Sequence, residues 1–152
     1  MSDGCFHGTR EDTSGPLIVG KLKEAGFDTG PPVIVPDDFS QIQKCLVSMS
    51  DVDGYDLVIT SGGTGLGPRD VTPEVMEKIL DRHIPGIPMA LMIRGIQSTP
   101  RAMLSRYRAG TRKRTLIINL PGSPGAVNEG IDTLLPVLDH ALHIIKGGGH
   151  PL

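Results

Sequence analysis

Apolar residues recur three or four positions apart in several segments of the chain, which is the spacing of a helix that buries one face. Ile18, Leu22 and Ala25 follow this spacing after Ser14, and Gly26 stands where helices commonly end. We therefore predict a first helix that Ser14 caps. The same spacing predicts further helices over 42–49, over 72–80 with Thr72 as the cap, between 84 and 100, and from 125 to about 146 with an interruption at Pro136.

Short, continuous apolar runs separate these helices, as expected of strands that are buried on both faces. The runs lie at 33–35, 57–60 and 115–120, and strand and helix alternate along the chain. This alternation predicts one domain over residues 1–152, with a three-layer α/β fold in which helices flank a mostly parallel sheet. The glycine-rich segment 147–152 is expected to be a frayed end.

A glycine-rich loop follows the strand predicted at 57–60. Glycines occupy positions 62, 63, 65 and 67. Without side chains in the way, successive backbone N–H groups can turn toward one point and bind an anion. The loop matches neither a Walker A motif nor a dinucleotide fingerprint. Phosphate or carboxylate is the expected ligand, and a plain flexible turn is the alternative.

Two charged residues at the end of this loop sharpen the expected chemistry. Arg69 supplies a cation that can bind phosphate oxygens, and Asp70 supplies a carboxylate that can hold Mg²⁺. The pair indicates phosphoryl or nucleotidyl transfer. Alternatively, Asp70 only interacts with the start of the helix at Thr72 and Pro73.

Other candidates follow the remaining strands. Asp37 and Asp38 come after 33–35, and a parallel sheet would bring them to the edge that carries the glycine loop, although capping of the next helix is the more common role. The turn 121–125 follows the third strand and serves either as the floor of a nucleotide site or as a rigid connection. Glu129, one helical turn farther, faces that site or, more commonly, solvent.

Composition excludes several classes of function. Fifteen Lys and Arg against seventeen Asp and Glu give a net charge of −2, which disfavours nucleic-acid binding, and the basic residues between 106 and 114 suit a solvated hairpin better than an anion site. No run of roughly 18 apolar residues predicts a membrane span. Cys5 and Cys45 lack the spacing of a zinc site or disulfide framework, so a cytoplasmic protein with reduced thiols is expected.

Several motifs occur together in one order along nearly the whole chain. They resemble the MogA/MoaB family of molybdopterin adenylyltransferases, which includes the G domain of gephyrin. The motifs are Ser2-Asp3, 12–15, Val35-Pro36-Asp37, Thr60-x-Gly-Gly-Thr-Gly65, 68–73, Met103-Leu-Ser-Arg106 and 116–122.

The resemblance implies a trimeric molybdopterin-binding fold that uses ATP and Mg²⁺ to adenylylate molybdopterin and releases pyrophosphate. It implies that Asp70 and Asp37 are catalytic and linked to Mg²⁺, with Arg69 stabilising charge on the phosphates. A separate molybdate-inserting enzyme of the same pathway is an expected partner. The residues implied to contact phosphate, nucleotide or pterin are Asp3, Gly62, Gly63, Thr64, Gly65, Ser105, Arg106, Pro121, Gly122, Ser123, Pro124 and Glu129.

The chain departs from the family pattern at one place. Family members carry an apolar strand just before the Ser-Asp motif, whereas Met1 stands immediately before Ser2-Asp3 here, so a first strand is expected to be missing. Two alternatives to adenylyl transfer remain open. One is a molybdopterin-binding or scaffold protein without catalysis, and the other is a nucleotide hydrolase that turns over ATP without a pterin.

Overall fold

The computed structural model describes residues 1–149, so the last three residues of the predicted frayed end lie outside the described part. The elements are α1 (Asp3–Phe6), α2 (Ser14–Glu24), α3 (Phe39–Asp51), β1 (Leu57–Ser61), α4 (Thr72–Ile79), β2 (Arg82–His83), α5 (Gly86–Ser98), a 3-10 turn (Pro100–Leu104), β3 (Ala109–Arg112), β4 (Thr115–Leu120) and α6 (Pro124–Ile145).

The four strands form one sheet in the order β1-β4-β3-β2. β1 and β4 are parallel, whereas β3 is antiparallel to both β4 and β2. The predicted α/β fold with helices around a sheet is confirmed, but the sheet is mixed rather than mostly parallel. The reason is local, because only Lys113 and Arg114 connect β3 to β4, and so short a connection forces an antiparallel hairpin. The basic segment 106–114 is this hairpin and the residues that lead into it.

Helices cover the sheet on both faces, and β4 is buried along its whole length. Ile118 packs in a cluster with residues of α2, α5 and α6, while Ile117 packs in a second cluster with residues of α3 and α4. Successive side chains of a strand point to opposite faces, so these clusters are the two apolar layers on either side of the sheet. The predicted three-layer arrangement follows from this burial.

Residues 33–35 are extended but form no strand, and the prediction of a strand there is wrong. Val33 and Ile34 are 57% and 42% exposed, and only Val35 is buried. Prolines at 31, 32 and 36 lack an N–H group and limit the run to three residues able to pair, and none of the described strands pairs with it.

No strand precedes Ser2-Asp3 among residues 1–149. Ser2 instead caps α1, and its side chain accepts a hydrogen bond from the Cys5 N–H. The Ser2 N–H donates to the Val35 carbonyl at 3.0 Å, and the Met1 amine contacts the Ser61 carbonyl.

A cavity of about 1120 Å³ is lined by β1, by 31–35 and by the glycine loop.

Two of the predicted helix caps are wrong by one residue. Ser14 and Thr72 are the first residues of α2 and α4, and neither helix has a side-chain hydrogen bond from its N-cap residue. Asp38 does cap α3, because its carboxylate accepts from the Gln41 N–H at 2.9 Å. Pro136 lies inside α6 without ending it. Across residues 1–149, none of the helices has the length and apolarity that crossing a bilayer requires.

Candidate functional site

The glycine loop and the 121–125 turn lie side by side because they follow two parallel, directly paired strands. Ser61 at the end of β1 is opposite Leu120 at the end of β4. The Gly62 N–H donates to the Leu120 carbonyl at 2.9 Å. A Cβ atom on Gly122 would lie 3.3 Å from the Gly62 Cα, so the two loops touch along their backbones. The predicted shared sheet edge is therefore present.

A buried amide holds the two strand ends together. Asn119 is fully buried, and its Nδ2 donates to Thr60 Oγ1 at 2.9 Å and to the Gly62 carbonyl at 3.3 Å. A third hydrogen bond comes from α2, where Ser14 Oγ donates to the Gly122 carbonyl at 2.9 Å. These hydrogen bonds hold the first residues of both loops in place.

Gly62 and Gly63 adopt φ values of +93° and +65°, which residues with a side chain rarely adopt. A Cβ on Gly63 would also lie 2.3 Å from Thr72 Oγ1, and one on Gly65 would lie 2.8 Å from Asp70 Oδ2. Conformation and space both require glycine here. The loop is a shaped concavity, which disfavours the plain flexible turn.

Asp70 turns back toward the loop. Its Oδ2 accepts a hydrogen bond from the Gly67 N–H at 2.9 Å. The carboxylate is thereby positioned against the glycines at 65 and 67, and it makes no capping bond to α4. The arrangement places a negative charge at the rim of the concavity.

Asp37 lies next to Gly63 of the same loop. Its Oδ2 accepts from the Asp3 N–H at 2.9 Å, and the Asp37 N–H donates to Asp3 Oδ1 at 3.0 Å. The other oxygen, Oδ1, is buried without a hydrogen-bond partner and lies 3.5 Å from the Cβ position of Gly63. A buried carboxylate oxygen without a partner is costly, which makes it a candidate ligand atom.

Sequence reasoning missed Thr72, which it assigned to capping. This residue is fully buried, and its Oγ1 has no hydrogen-bond partner although it lies next to Gly63. Two unpartnered oxygens, Asp37 Oδ1 and Thr72 Oγ1, therefore approach the same glycine. Because Thr72 precedes Pro73 at the helix start, its position in the sequence indicated only capping.

Arg69 forms a bidentate ion pair with Asp3. Its Nε and Nη2 donate to the two carboxylate oxygens at 2.9 Å each. The Asp37 backbone N–H and this guanidinium together hold the pKa of Asp3 below its usual value. Arg69 thus supports Asp37 through Asp3, and a direct contact of Arg69 with phosphate stays a prediction.

Arg106 holds the glycine loop through hydrogen bonds to its backbone carbonyl groups. Its N–H donates to the Thr64 carbonyl at 2.9 Å and its Nε to the Gly65 carbonyl at 2.9 Å. The guanidinium also reaches the Asp70 carbonyl at 2.5 Å and contacts Glu74. Three of its contacts are loop carbonyls, so Arg106 fixes the shape of the concavity.

The remaining predicted residues divide between two cavities. Gly122 and Ser123 line the large cavity with the glycine loop, whereas Ser105, Pro121 and Glu129 line a second cavity beyond the 121–125 turn. Ser123 lines both, and its Oγ accepts from the Ala126 N–H at the start of α6. Pro124 is the first residue of that helix.

The residues present fit a hard cation such as Mg²⁺. In the described part of the chain, no cluster of three or more His, Cys, Asp or Glu side chains could enclose a metal. Mg²⁺, however, commonly takes only one or two carboxylates and completes its shell with water and substrate phosphates. The unpartnered Asp37 Oδ1 and the Asp70 carboxylate, both beside the glycine loop, are suitable protein ligands.

Known proteins share this sequence and fold. The family described as "Probable molybdopterin binding domain" matches residues 1–140. Molybdopterin adenylyltransferase of Helicobacter pylori is 37% identical over 151 residues, which are 96% of this chain and 84% of that protein. Gephyrin of Dictyostelium discoideum is 40% identical over 155 residues and 95% of this chain, but the chain spans only 21% of gephyrin's length.

Solved structures agree with these sequence matches. The molybdopterin biosynthesis enzyme MoaB of Thermus thermophilus superposes with a TM-score of 0.90 at 45% identity, covering 96% of this chain and 92% of that one. A MogA structure gives a TM-score of 0.91 at 43% identity and covers 95% and 94% of the two chains. This chain belongs to the MogA/MoaB family of molybdopterin-binding domains of molybdenum cofactor biosynthesis.

Proposed function

We propose that this chain is a molybdopterin adenylyltransferase that converts ATP and molybdopterin to adenylyl-molybdopterin and pyrophosphate. The observation that carries the proposal is the pair of carboxylates beside the glycine loop, with a buried oxygen of Asp37 left without a partner. The Helicobacter pylori relative, which the chain covers over most of its length, bears the name of this activity.

The loop residues suit the proposed transfer. Residues 62–65 line the concavity, and the backbone N–H groups of residues 63–65 can bind phosphate oxygens. Asp37 and Asp70 would hold Mg²⁺, and when bound this cation neutralises charge on the phosphates and the leaving oxygen. The molybdopterin phosphate oxygen attacks the α-phosphorus of ATP while the bond from that phosphorus to the bridging oxygen breaks. Pyrophosphate leaves, and no protein nucleophile is required.

The test is adenylyl transfer by purified protein with ATP, Mg²⁺ and molybdopterin, measured as pyrophosphate release and as labelled AMP on the pterin. Asp37→Asn and Asp70→Asn each remove a charge beside the phosphates, so we expect each to lower kcat on the order of 100-fold. Asp38→Asn is the matched control, because asparagine also caps a helix and activity should persist.

Two outcomes would overturn the proposal. Saturable molybdopterin binding without pyrophosphate release would indicate a binding or scaffold protein. Pyrophosphate or phosphate release from ATP that does not depend on the pterin would indicate a nucleotide hydrolase.

We also propose that the protein is a homotrimer that passes its product to a molybdate-inserting enzyme. Supporting the first part, α5 exposes an apolar stripe at Met89, Ile93 and Ile96, and Met103 and Leu104 of the 3-10 turn are 61% and 55% exposed. Exposed apolar patches commonly mark protein interfaces. Supporting the second part, some relatives are named bifunctional proteins of molybdenum cofactor biosynthesis, and the chain spans 48% of one of them.

A further inference from the structure

Thr72 is a fully buried residue whose hydroxyl group has no hydrogen-bond partner. It is the first residue of α4 and not its N-cap, the position where a threonine oxygen would accept a hydrogen bond from the helix. Packing gives no reason for the hydroxyl either, because valine has nearly the same shape and no polar atom to bury. Neither capping nor packing therefore explains why a threonine stands here.

The Thr72 hydroxyl lies beside the carboxylate of Asp37. The atoms nearest to the position that a Cβ of Gly63 would take are Thr72 Oγ1 at 2.3 Å, Thr72 Cβ at 3.3 Å and Asp37 Oδ1 at 3.5 Å. The separation of the two oxygens cannot exceed the sum of their distances to this point, a span that two hydrogen bonds through one water cover. A side chain at position 63 would come between them.

The two oxygens are complementary in their hydrogen bonding. Asp37 Oδ2 accepts from the Asp3 N–H at 2.9 Å, whereas the lone pairs of Oδ1 are unused. A hydroxyl group can rotate its hydrogen atom toward such an acceptor. Because a carboxylate oxygen has lone pairs for two partners, Oδ1 can accept from Thr72 and still bind a cation. Hydrogen bonds of this kind fix the orientation of metal-binding carboxylates and strengthen metal binding.

Thr72 is held more rigidly than the carboxylate that it faces. Pro73 follows it, and Val75 and Met76 on the next turn of α4 are fully buried in the apolar cluster against β4. The branched side chain of threonine is itself restricted about its first torsion angle. A rigid donor beside Asp37 can therefore set the direction of its carboxylate.

We propose that Thr72 is a positioning residue, whose hydroxyl orients the Asp37 carboxylate toward a cation bound beside the glycine loop. This rests on the proposed function, in which Asp37 holds Mg²⁺. The hydroxyl donates a hydrogen bond toward Oδ1, across one water where the separation requires it, and leaves a second lone pair of that oxygen available to the cation. Thr72 does not line the large cavity, so it acts on the substrates only through Asp37.

The test compares Thr72→Val, which removes the hydroxyl, with Thr72→Ser, which keeps it. Calorimetric titration of the full chain with ATP, with and without Mg²⁺, measures affinity, and thermal unfolding without ligands measures stability. We expect Thr72→Val to bind ATP about tenfold more weakly with Mg²⁺ and equally well without it, because a hydrogen bond to a charged group is lost. Its melting temperature should rise by roughly 2–4 °C, since a buried hydroxyl without a partner is removed.

Thr72→Ser should show the opposite pattern. Its melting temperature should fall because a buried methyl group is lost, while its affinity for ATP with Mg²⁺ should stay near that of wild type. A purely structural role would change stability and affinity in the same direction.

Thr29→Val is the matched control. Thr29 Oγ1 is also buried without a partner, but Thr29 lies in the connection after α2, next to Gly30, whose Cβ position is 3.2 Å from the Tyr55 hydroxyl. This variant should also have a raised melting temperature, and its affinity for ATP with Mg²⁺ should be unchanged.

A double-variant cycle tests whether Thr72 acts through Asp37. In the Asp37→Asn background, Thr72→Val should cause no further loss of affinity for ATP with Mg²⁺, because the carboxylate that it orients is gone. A further tenfold loss there would overturn the inference.

Three other results would overturn it as well: wild-type affinity of Thr72→Val for ATP with Mg²⁺, an equal loss of that affinity in Thr72→Ser, or a lower melting temperature of Thr72→Val. Wild-type protein whose ATP affinity does not depend on Mg²⁺ would also contradict it. None of these measurements requires adenylyl transfer. If the variants behave as expected but wild type transfers no AMP to molybdopterin, the proposed function alone is wrong.

Discussion

At the scale of single residues, the candidate site depends on where side chains are absent as much as on where they are present. Gly63 has a left-handed backbone, and the unpartnered oxygens of Asp37 and Thr72 both approach the space that its Cβ would occupy. A side chain there would therefore disturb the backbone and the candidate ligand atoms together. No other position of the loop combines a positive φ with two such oxygens among the described residues.

Gly63→Ala should destabilise the fold by roughly 1–3 kcal/mol, because alanine is strained at this φ and its methyl group would overlap Thr72 Oγ1. ATP affinity should fall as well, since the backbone N–H groups would no longer converge. Urea unfolding and calorimetric titration with ATP and Mg²⁺ measure the two effects.

Gly20→Ala is the control for this substitution. Gly20 lies inside α2, with open space around its Cβ position, so alanine should stabilise the protein by about 0.5–1 kcal/mol and leave ATP binding unchanged. If both alanine variants changed stability in the same direction, the account of Gly63 would be wrong.

At the scale of elements, one ion-pair cluster ties the β3–β4 hairpin to the helices on one face of the sheet. Arg112 of β3 makes a bidentate contact with Asp51 at the end of α3, at 3.0 and 2.7 Å, and donates to the Ile79 carbonyl of α4 at 3.0 Å. Lys113 of the hairpin turn lies 3.2 Å from the same carboxylate. Arg112, followed by Lys113, holds the pKa of Asp51 below its usual value.

This lowered pKa predicts how stability depends on pH. A carboxyl group with a lower pKa in the folded state stabilises the fold above its unfolded pKa, near 3.8, and this contribution is lost as the pH falls through the folded value. Asp51→Asn should therefore be less stable than wild type at pH 7, with the difference shrinking in acid below about pH 4. Urea unfolding across this pH range measures it.

Asp53→Asn, at an exposed position two residues farther along, should keep the wild-type pH dependence. The assignment of this acid sensitivity to the hairpin contact fails if Asp51→Asn and wild type lose stability in parallel.

At the scale of the whole molecule, the proposed trimer predicts a role for the exposed apolar stripe of α5. Ile93 is 57% exposed at the centre of this stripe. Light scattering at micromolar concentration should give three times the monomer mass for wild type and a monomer for Ile93→Glu, because burying a charge in an apolar interface is costly. Val52→Glu, on the exposed end of α3, should remain trimeric. A monomeric wild type would contradict the proposal.

The sequence predicted most of the helices and two of the four strands, but it did not predict the antiparallel pairing of the sheet. Periodic apolar residues revealed α2 to α6, and continuous apolar runs revealed β1 and β4, because burial on one or two faces leaves a local pattern. The run at 33–35 gave the same pattern without forming a strand, because its flanking prolines leave only three residues able to pair and none of the described strands pairs with them. The antiparallel β3 was missed because its residues, Ala-Gly-Thr-Arg, carry no continuous apolar run.

By itself, the sequence determined which residue types surround the glycine loop and which family they resemble, because glycines, carboxylates and their order are written along the chain. Only the tertiary structure decided which atoms are available. It paired Arg69 with Asp3, left Asp37 Oδ1 and Thr72 Oγ1 unpartnered, and placed Glu129 in a cavity of its own. The physical reason is that hydrogen-bond partners come from residues distant in sequence, and local patterns do not record them.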